Sequence, residues 1–168
     1  HYTGMKKETH AIKRLCDPKS QVSAHYFIKN NGQILILVPD SYVAWHAGKS
    51  SWKSYKSLNK YSIGIEMSNP GHYYGYKNFS NKQIISFKKL VRFLIKKYNI
   101  KIENLLGHSD IAPDRKLDPG EKFPWKKLSS YGLCKWHKLD QNYLKKYRNI
   151  KLSDKDSFLF HSNLYKIG

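Results

Sequence analysis

The chain has few cysteines, few arginines, few acidic groups and no long apolar run, and each shortage narrows what it can be. Cys16 and Cys134, its two cysteines, lack the CxxC or CxxH spacing of a thiolate metal site. They read as free, buried thiols; a disulfide between them is the alternative and implies an oxidising compartment. Arginine stands only at Arg14, Arg92, Arg115 and Arg148. Proteins that read nucleic acids lean on Arg for bidentate contacts to bases and phosphates. The formal charge of +19 is carried mostly by lysine, and no nucleic-acid partner is expected from so weak a footprint. An acidic wall polymer or an anionic lipid surface stays open on charge, next to the plain alternative of a coding bias toward Lys, Asn, Ile and Tyr. No apolar stretch is long enough for a transmembrane helix. No signal peptide is visible, although a signal lying upstream of His1 would not show. There are no internal repeats and no low-complexity segments.

What is present suffices for a core. The 168 residues are 40% hydrophobic and 14% aromatic, enough for one ordinary domain with a small appendage. Lys6 to Leu15 has helical character and ends at Asp17-Pro18. Val22 to Ile28 alternates as a strand does, and Asn31-Gly32 is a hairpin signal. The apolar run Ile34 to Val38 reads as a buried return strand. Tyr61 to Met67 reads as a strand with Glu66 embedded near its end, where a carboxylate needs an explanation. Ser80 and Gln83 form a capping-box pattern. Ile84, Phe87, Val91, Leu94, Ile95 and Tyr98 follow at helical spacing, which predicts a helix packed across the sheet. Pro124-Trp125 begins a short helix. From Trp136 the pattern changes to two short helical stretches, Asp140 to Tyr147 and from Ser153-Asp154 onward, which bury little alone.

The run Gly107 to Gly120 concentrates the chemistry. It holds one His, three Asp, an Arg and a Lys, and its two prolines argue against a regular helix or strand. Leu105-Leu106 reads as the end of a buried strand that delivers His108 to the edge of the fold. Loops held by a rigid scaffold are where ligands and catalytic groups gather. His and Asp are good zinc ligands, and a catalytic zinc takes three protein ligands and keeps one position for water. His108, Asp118 and a third group elsewhere are candidates. Each also has a bland reading. His108 can be a polar loop residue, Asp118 a turn-former before Pro-Gly, and His1 a processing remnant.

The segments occur in a telling order: His1-Tyr2-Thr3, Val22-Ser23-Ala24-His25-Tyr26, Ala44-Trp45-His46-Ala47-Gly48, Ser62-Ile63-Gly64-Ile65-Glu66, and Gly107-His108-Ser109-Asp110-Ile111-Ala112-Pro113 with Arg115-Lys116 and Asp118-Pro119-Gly120. Over roughly residues 1 to 130 this closely resembles the zinc-dependent type 2 N-acetylmuramoyl-L-alanine amidases, with phage amidases and peptidoglycan recognition proteins as more distant relatives. The His-Tyr-Thr opening, the Trp-His-Ala-Gly turn and Phe123-Pro124-Trp125 look more like the AmiD branch than the AmpD branch.

The resemblance implies an α/β fold of the α+β mixed kind, a central mixed β-sheet flanked by helices. Residues 1–135 would be the catalytic domain, with a first strand lying upstream, and residues 136–168 a helical extension or a truncated wall-binding module. It also implies one zinc ion per chain held by His1, His108 and Asp118, with Glu66 as general base and Lys116 as electrophilic helper. The elementary chemistry agrees. Two neutral imidazoles and one carboxylate leave zinc a net positive charge that lowers the pKa of water. A nearby carboxylate moves the proton, and a cation stabilises the growing oxyanion. Glu66 as a salt-bridged strand residue and Lys116 as a surface lysine are the plain alternatives. Tyr26, Trp45 and His46 are expected to line the groove, Trp45 by stacking and His46 by hydrogen bonding. His25, mid-strand, reads as a satisfied core histidine. The expected partner is peptidoglycan or a muropeptide, the chain a monomer, and membrane contact a matter of any upstream lipid anchor. The expected location is the bacterial envelope or periplasm, with a cytoplasmic recycling enzyme as the alternative. Two other classes compete: a peptidoglycan receptor that has lost catalysis, which typically lacks a metal ligand, and a basic surface-binding protein supported by charge alone.

Overall fold

A computed structural model describes residues 1–148, 150–151 and 153–167. The chain divides into two compact units, His1–Lys135 and Trp136–Gly168. In the first, helix α1 (Glu8–Cys16) stops at Asp17, whose carboxylate accepts from Lys19 N in the turn begun by Pro18. Strands β1 (Tyr26–Ile28) and β2 (Ile34–Ile36) form an antiparallel hairpin in which Tyr26 faces Ile36. Its turn uses Asn31-Gly32 as expected: Asn31 Oδ1 accepts from Gln33 N, and Gly32 takes a φ of 86°. A Cβ on Gly32 would also lie 2.8 Å from the Lys82 carbonyl oxygen.

Strands β3 (Ser51–Trp52) and β4 (Tyr55–Lys56) make a separate small hairpin. Strand β5 (Ile65–Met67) pairs parallel to β1, with Phe27 opposite Glu66. The sheet order is β2-β1-β5, one antiparallel and one parallel pairing, so the sheet is mixed as the family resemblance implies. Residues 1–3 extend it past β5. Met67 N donates to His1 O and Thr3 N to Met67 O, both at 3.1 Å, around a parallel bridge between Tyr2 and Met67.

Helix α2 (Asn81–Tyr98) crosses the sheet. Its capping box is formed: Gln83 N donates to Ser80 Oγ and Ser80 N to Gln83 Oε1. Ile84, Phe87, Leu90, Val91 and Leu94 bury themselves with Tyr26, Ile28 and Met67 in the main core. Removing such a helical stripe from water is what makes the helix stable in this position. The last turn ends on Asn99 in the left-handed region. Helices α3 (His108–Ile111) and α4 (Trp125–Ser130) follow. Phe123 closes the core edge-on to Phe79, Phe87 and Trp125, at centroid distances of 5.4, 5.3 and 4.7 Å.

Three local expectations are corrected. Strand β2 is not wholly buried, because it is an edge strand, and Ile36 is 68% exposed. The segment leading into His108 is not a strand: Ile102–Asn104 is a 3-10 turn, Leu105-Leu106 pairs with no strand, and His108 itself opens the one-turn helix α3. Of the two thiols, Cys134 is buried and Cys16 exposed, and both are free.

The second unit has helix α5 (Gln141–Arg148), whose first amides at Asn142 and Tyr143 donate to Asp140 Oδ1. Helix α6 (Asp154–Ile167) is capped by Ser153 Oγ, which accepts from Asp156 N. Among the described residues no helix is long and apolar enough to cross a membrane.

Candidate metal centre

His1, His108 and Asp118 come from three separate places and meet at one point. The backbone nitrogen of His1 donates to Ile65 O, which fixes the first residue beside β5. Gly107 delivers His108 where no side chain fits, since a Cβ there would lie 2.6 Å from Pro119 Cδ. Asp118 is stitched back to the start of α3 by a hydrogen bond from Ser109 N to its carbonyl oxygen. Arg115 ties the same loop to the turn at Ala44–Gly48: Nη2 donates to Ala47 O and Lys49 O, and Nε to Lys49 O.

His1 Nδ1 lies 2.9 Å from both His108 Nδ1 and Asp118 Oδ2, and His108 Nδ1 lies 3.2 Å from Asp118 Oδ2. His108 Nε2 donates to Ala47 O at 3.0 Å, which leaves its Nδ1 as a lone pair aimed at the cluster. His108 and Asp118 are buried. Burial opposes ionisation of Asp118, but its close contacts with the imidazoles of His1 and His108 hold its carboxyl well below the usual carboxylate range. Burial likewise opposes a charge on His1, yet the Asp118 hydrogen bond and the charges of Glu66 and Asp118 raise it above the ordinary imidazole. His108 is lowered, by burial first.

The kind and spacing of these donors fit a divalent cation. Two ligands at zinc–nitrogen distance in a tetrahedron are about 3.3 Å apart, close to the spacings seen here. Two nitrogens and one carboxylate oxygen, all within 4.8 Å of one another, are what a catalytic zinc takes while keeping a position for water.

Glu66 stands next to this cluster on β5. Its Oε2 is buried without a hydrogen-bond partner among the described residues. Burial pushes its carboxyl up to about 7, and the nearby Asp118 adds to the rise, while His1 and Lys116 oppose it. Lys116 is placed by its own amide, which donates to Ala112 O at 3.0 Å. Glu66, Lys116, Trp45, His46 and two of the triad, His108 and Asp118, line one cleft of about 280 Å³. Trp45 is half exposed at its rim, and Ser23 holds its backbone in both directions.

Tyr26 is not brought to the cleft, which corrects the expectation that it lines the groove. It pairs with Ile65, one residue out of step with Glu66, so the strand pleat turns it to the opposite face of the sheet. There it is buried against α2, and its hydroxyl donates to Asp40 Oδ1 at 2.6 Å. His46 reaches the site, but both ring nitrogens face protein atoms: Nδ1 is 3.2 Å from His1 Nε2, and Nε2 is 3.4 Å from Ser62 O. Burial first, then the neighbouring His1 and His25, push it down to about 3, so it is neutral. His25 is a satisfied core histidine, with Nδ1 accepting from Gly64 N and Nε2 donating to Tyr42 O. Two participants escaped sequence reasoning. Arg14 of α1 lines the cleft without a side-chain partner among the described residues, and Tyr76 supports the Asp118 loop by donating to Pro119 O. Neither sits in a run of chemical residues that would single it out.

Comparison with known proteins agrees with this geometry. A profile described as N-acetylmuramoyl-L-alanine amidase matches residues 1–121. N-acetylmuramoyl-L-alanine amidase AmiD of Escherichia coli is 41% identical over 128 residues, which cover 69% of this chain and 46% of that protein. The 1,6-anhydro-N-acetylmuramyl-L-alanine amidase AmpD of Haemophilus influenzae is 36% identical over 66% of this chain and 58% of its own length. The chain thus spans about half the length of these curated relatives. Among solved structures, Escherichia coli AmiD in complex with the substrate anhydro-N-acetylmuramic acid-L-Ala-D-gamma-Glu-L-Lys superposes with a TM-score of 0.76 at 36% identity, covering 95% of this chain and 66% of that one. AmpDh3 of Pseudomonas aeruginosa gives 0.79 at 31% identity, covering 95% and 69%. With the amidase profile matching residues 1–121 and these relatives alike in sequence and fold, the chain belongs to the type 2 N-acetylmuramoyl-L-alanine amidase family.

Proposed function

We propose that this chain is a zinc-dependent N-acetylmuramoyl-L-alanine amidase. It hydrolyses the amide between the lactyl group of N-acetylmuramic acid and L-alanine, in peptidoglycan or muropeptides, for wall degradation or recycling. The observation that carries the reading is the meeting of His1 Nδ1, His108 Nδ1 and Asp118 Oδ2 beside the partnerless Glu66 carboxylate oxygen. These three residues hold one zinc ion per chain. Zinc bound there lowers the pKa of water and polarises a carbonyl. Glu66, held in a dry position with a raised pKa, takes the proton of the attacking water and returns it to the departing alanine nitrogen. The Lys116 ammonium meets the charge that grows on the carbonyl oxygen. Trp45, half exposed at the rim, offers a flat apolar face to the sugar or peptide.

Anhydro-muropeptides are the first substrates to try, since AmiD and AmpDh3 were solved with such molecules. The reaction needs one chain, and we take the monomer as the working unit. Residues 136–168 we read as a helical extension, a truncated wall-binding module being the reading that the basic charge of the chain favours. A strongly basic chain suits an acidic wall, which supports an envelope location. Asp118→Ala tests the core of the proposal. The variant should fold, lose most of its zinc and lose activity. Unchanged zinc stoichiometry in that variant would show that the metal sits elsewhere.

A further inference from the structure

We propose that His46 is a positioning residue for the metal site: it accepts the His1 Nε2–H hydrogen bond and so turns the Nδ1 lone pair of His1 toward His108 and Asp118. The inference rests on the reading of His1 as a zinc ligand. It follows from a chain of hydrogen bonds whose direction is set at its far end. Ser62 Oγ donates to Leu58 O at 2.6 Å, which uses the only hydroxyl proton. The two Ser62 oxygens near His46 Nε2, the carbonyl and the hydroxyl, both at 3.4 Å, can then only accept. His46 Nε2 carries the hydrogen, and its Nδ1 is left as an acceptor. His1 Nε2, 3.2 Å away, is the donor to it. Its partner nitrogen, Nδ1, is the one that points at the cluster. The ring that a metal needs unprotonated at Nδ1 is thus the ring this relay prescribes.

A second observation shows that the fold makes room for this ring. A Cβ on Gly64 would lie 2.3 Å from His46 Cγ and 2.7 Å from its Nδ1. The backbone there cannot withdraw, because Gly64 N donates to His25 Nδ1, and Gly64 O accepts from His25 N and Tyr26 N. Space rather than a left-handed backbone is what excludes a side chain, since the positive-φ glycines do not include Gly64. From the other side, Asn59 Oδ1 accepts from His46 N at 3.1 Å and Ala47 N at 2.7 Å and holds the turn in place. Both ring nitrogens of His46 thus face protein atoms.

The test measures zinc affinity by competition with a chromophoric chelator, without reference to turnover. His46→Leu keeps the bulk and removes the acceptor, and should weaken zinc binding about 10–100-fold. His46→Asn puts Oδ1 where Nδ1 was and should rescue most of that loss. Gly64→Ala, which pushes the ring aside, should weaken binding as His46→Leu does. In ¹⁵N-histidine spectra of the zinc-loaded wild type, His46 should be the Nε2–H tautomer and show a coupling across the hydrogen bond to His1 Nε2. Wild-type affinity in His46→Leu, or a His46→Asn variant as weak as His46→Leu, overturns the inference. A His46 that carries its hydrogen on Nδ1 overturns it even if the Leu variant fails to fold. A wild type that binds no zinc at this site overturns the reading of His1 as a ligand, a result distinct from all of these.

Discussion

At the scale of single residues, Glu66 and Lys116 carry opposite burdens. Glu66 has a buried carboxylate oxygen, Oε2, without a hydrogen-bond partner among the described residues, and Lys116 is a cation in the same cleft. Glu66→Gln keeps the shape and removes the base; turnover should fall about 10²–10⁴-fold with zinc retained. Lys116→Met should lose about 10²–10³ in turnover while keeping zinc and most of its affinity for muropeptide. Lys126→Met and Lys127→Met, exposed on α4, control for bulk charge and should be nearly silent. Equal losses in those controls would reduce Lys116 to general attraction. The pH dependence has a definite sign. In the zinc-free fold Glu66 titrates at about 7 against an ordinary 4.5. The folded state therefore binds the extra proton between these values, so stability is present below 4.5 and declines as pH rises through 7. Zinc-free Glu66→Gln should melt above wild type at pH 8 and close to it at pH 4, and matching slopes would contradict the assignment. His108, Lys116 and Asp118 stand out in the sequence because they share the run Gly107 to Gly120, whereas His1 and Glu66 lie in sparse surroundings and are singled out through the family resemblance. Tyr26 was misplaced because its side of the sheet depends on the register of β1 against β5, which alternation alone does not set.

At the scale of elements, the long helix was the most legible part. Its cap and its stripe are local patterns, and α2 forms where they predict. What the pattern did not reveal is that Gln83 does more than close the cap. It is buried, and its Nε2 donates to Ser68 O at 2.9 Å, which pins the helix to the residue that follows β5. Gln83→Leu leaves Ser68 O and Ser80 N without these partners and should cost about 1–3 kcal/mol in denaturant unfolding. A loss within a few tenths of wild type would mean the pin is idle. The segment before His108 was the least legible. Leu105 packs on the main core and Leu106 on a smaller cluster with Ala47, Leu58 and Ile111. An apolar pair buried in that way looks like a strand end in sequence, although no strand pairs with it. The cleft wall supplied by α1, with Arg14, was not readable either, because it depends on long-range packing.

At the scale of the whole molecule, the chain combines two compact units with a large positive charge. If residues 136–168 belong to a wall-binding module, truncation after Lys135 should leave turnover of a soluble muropeptide within about twofold and reduce cosedimentation with insoluble peptidoglycan. Binding that rests on lysine charge should also weaken as salt shortens the range of attraction. Equal cosedimentation of the truncated and full chains would remove the second unit from that role. The central claim is more direct, that the cleft cleaves one particular amide. Zinc-loaded protein is incubated with anhydro-N-acetylmuramyl-L-Ala-D-γ-Glu-L-Lys, and the products are weighed by mass spectrometry. The account predicts two products, a free peptide with a new amine on L-alanine and an anhydro-sugar with a free lactyl carboxylate, absent with Asp118→Ala. Cleavage at any other bond, or intact substrate with zinc bound, would contradict it.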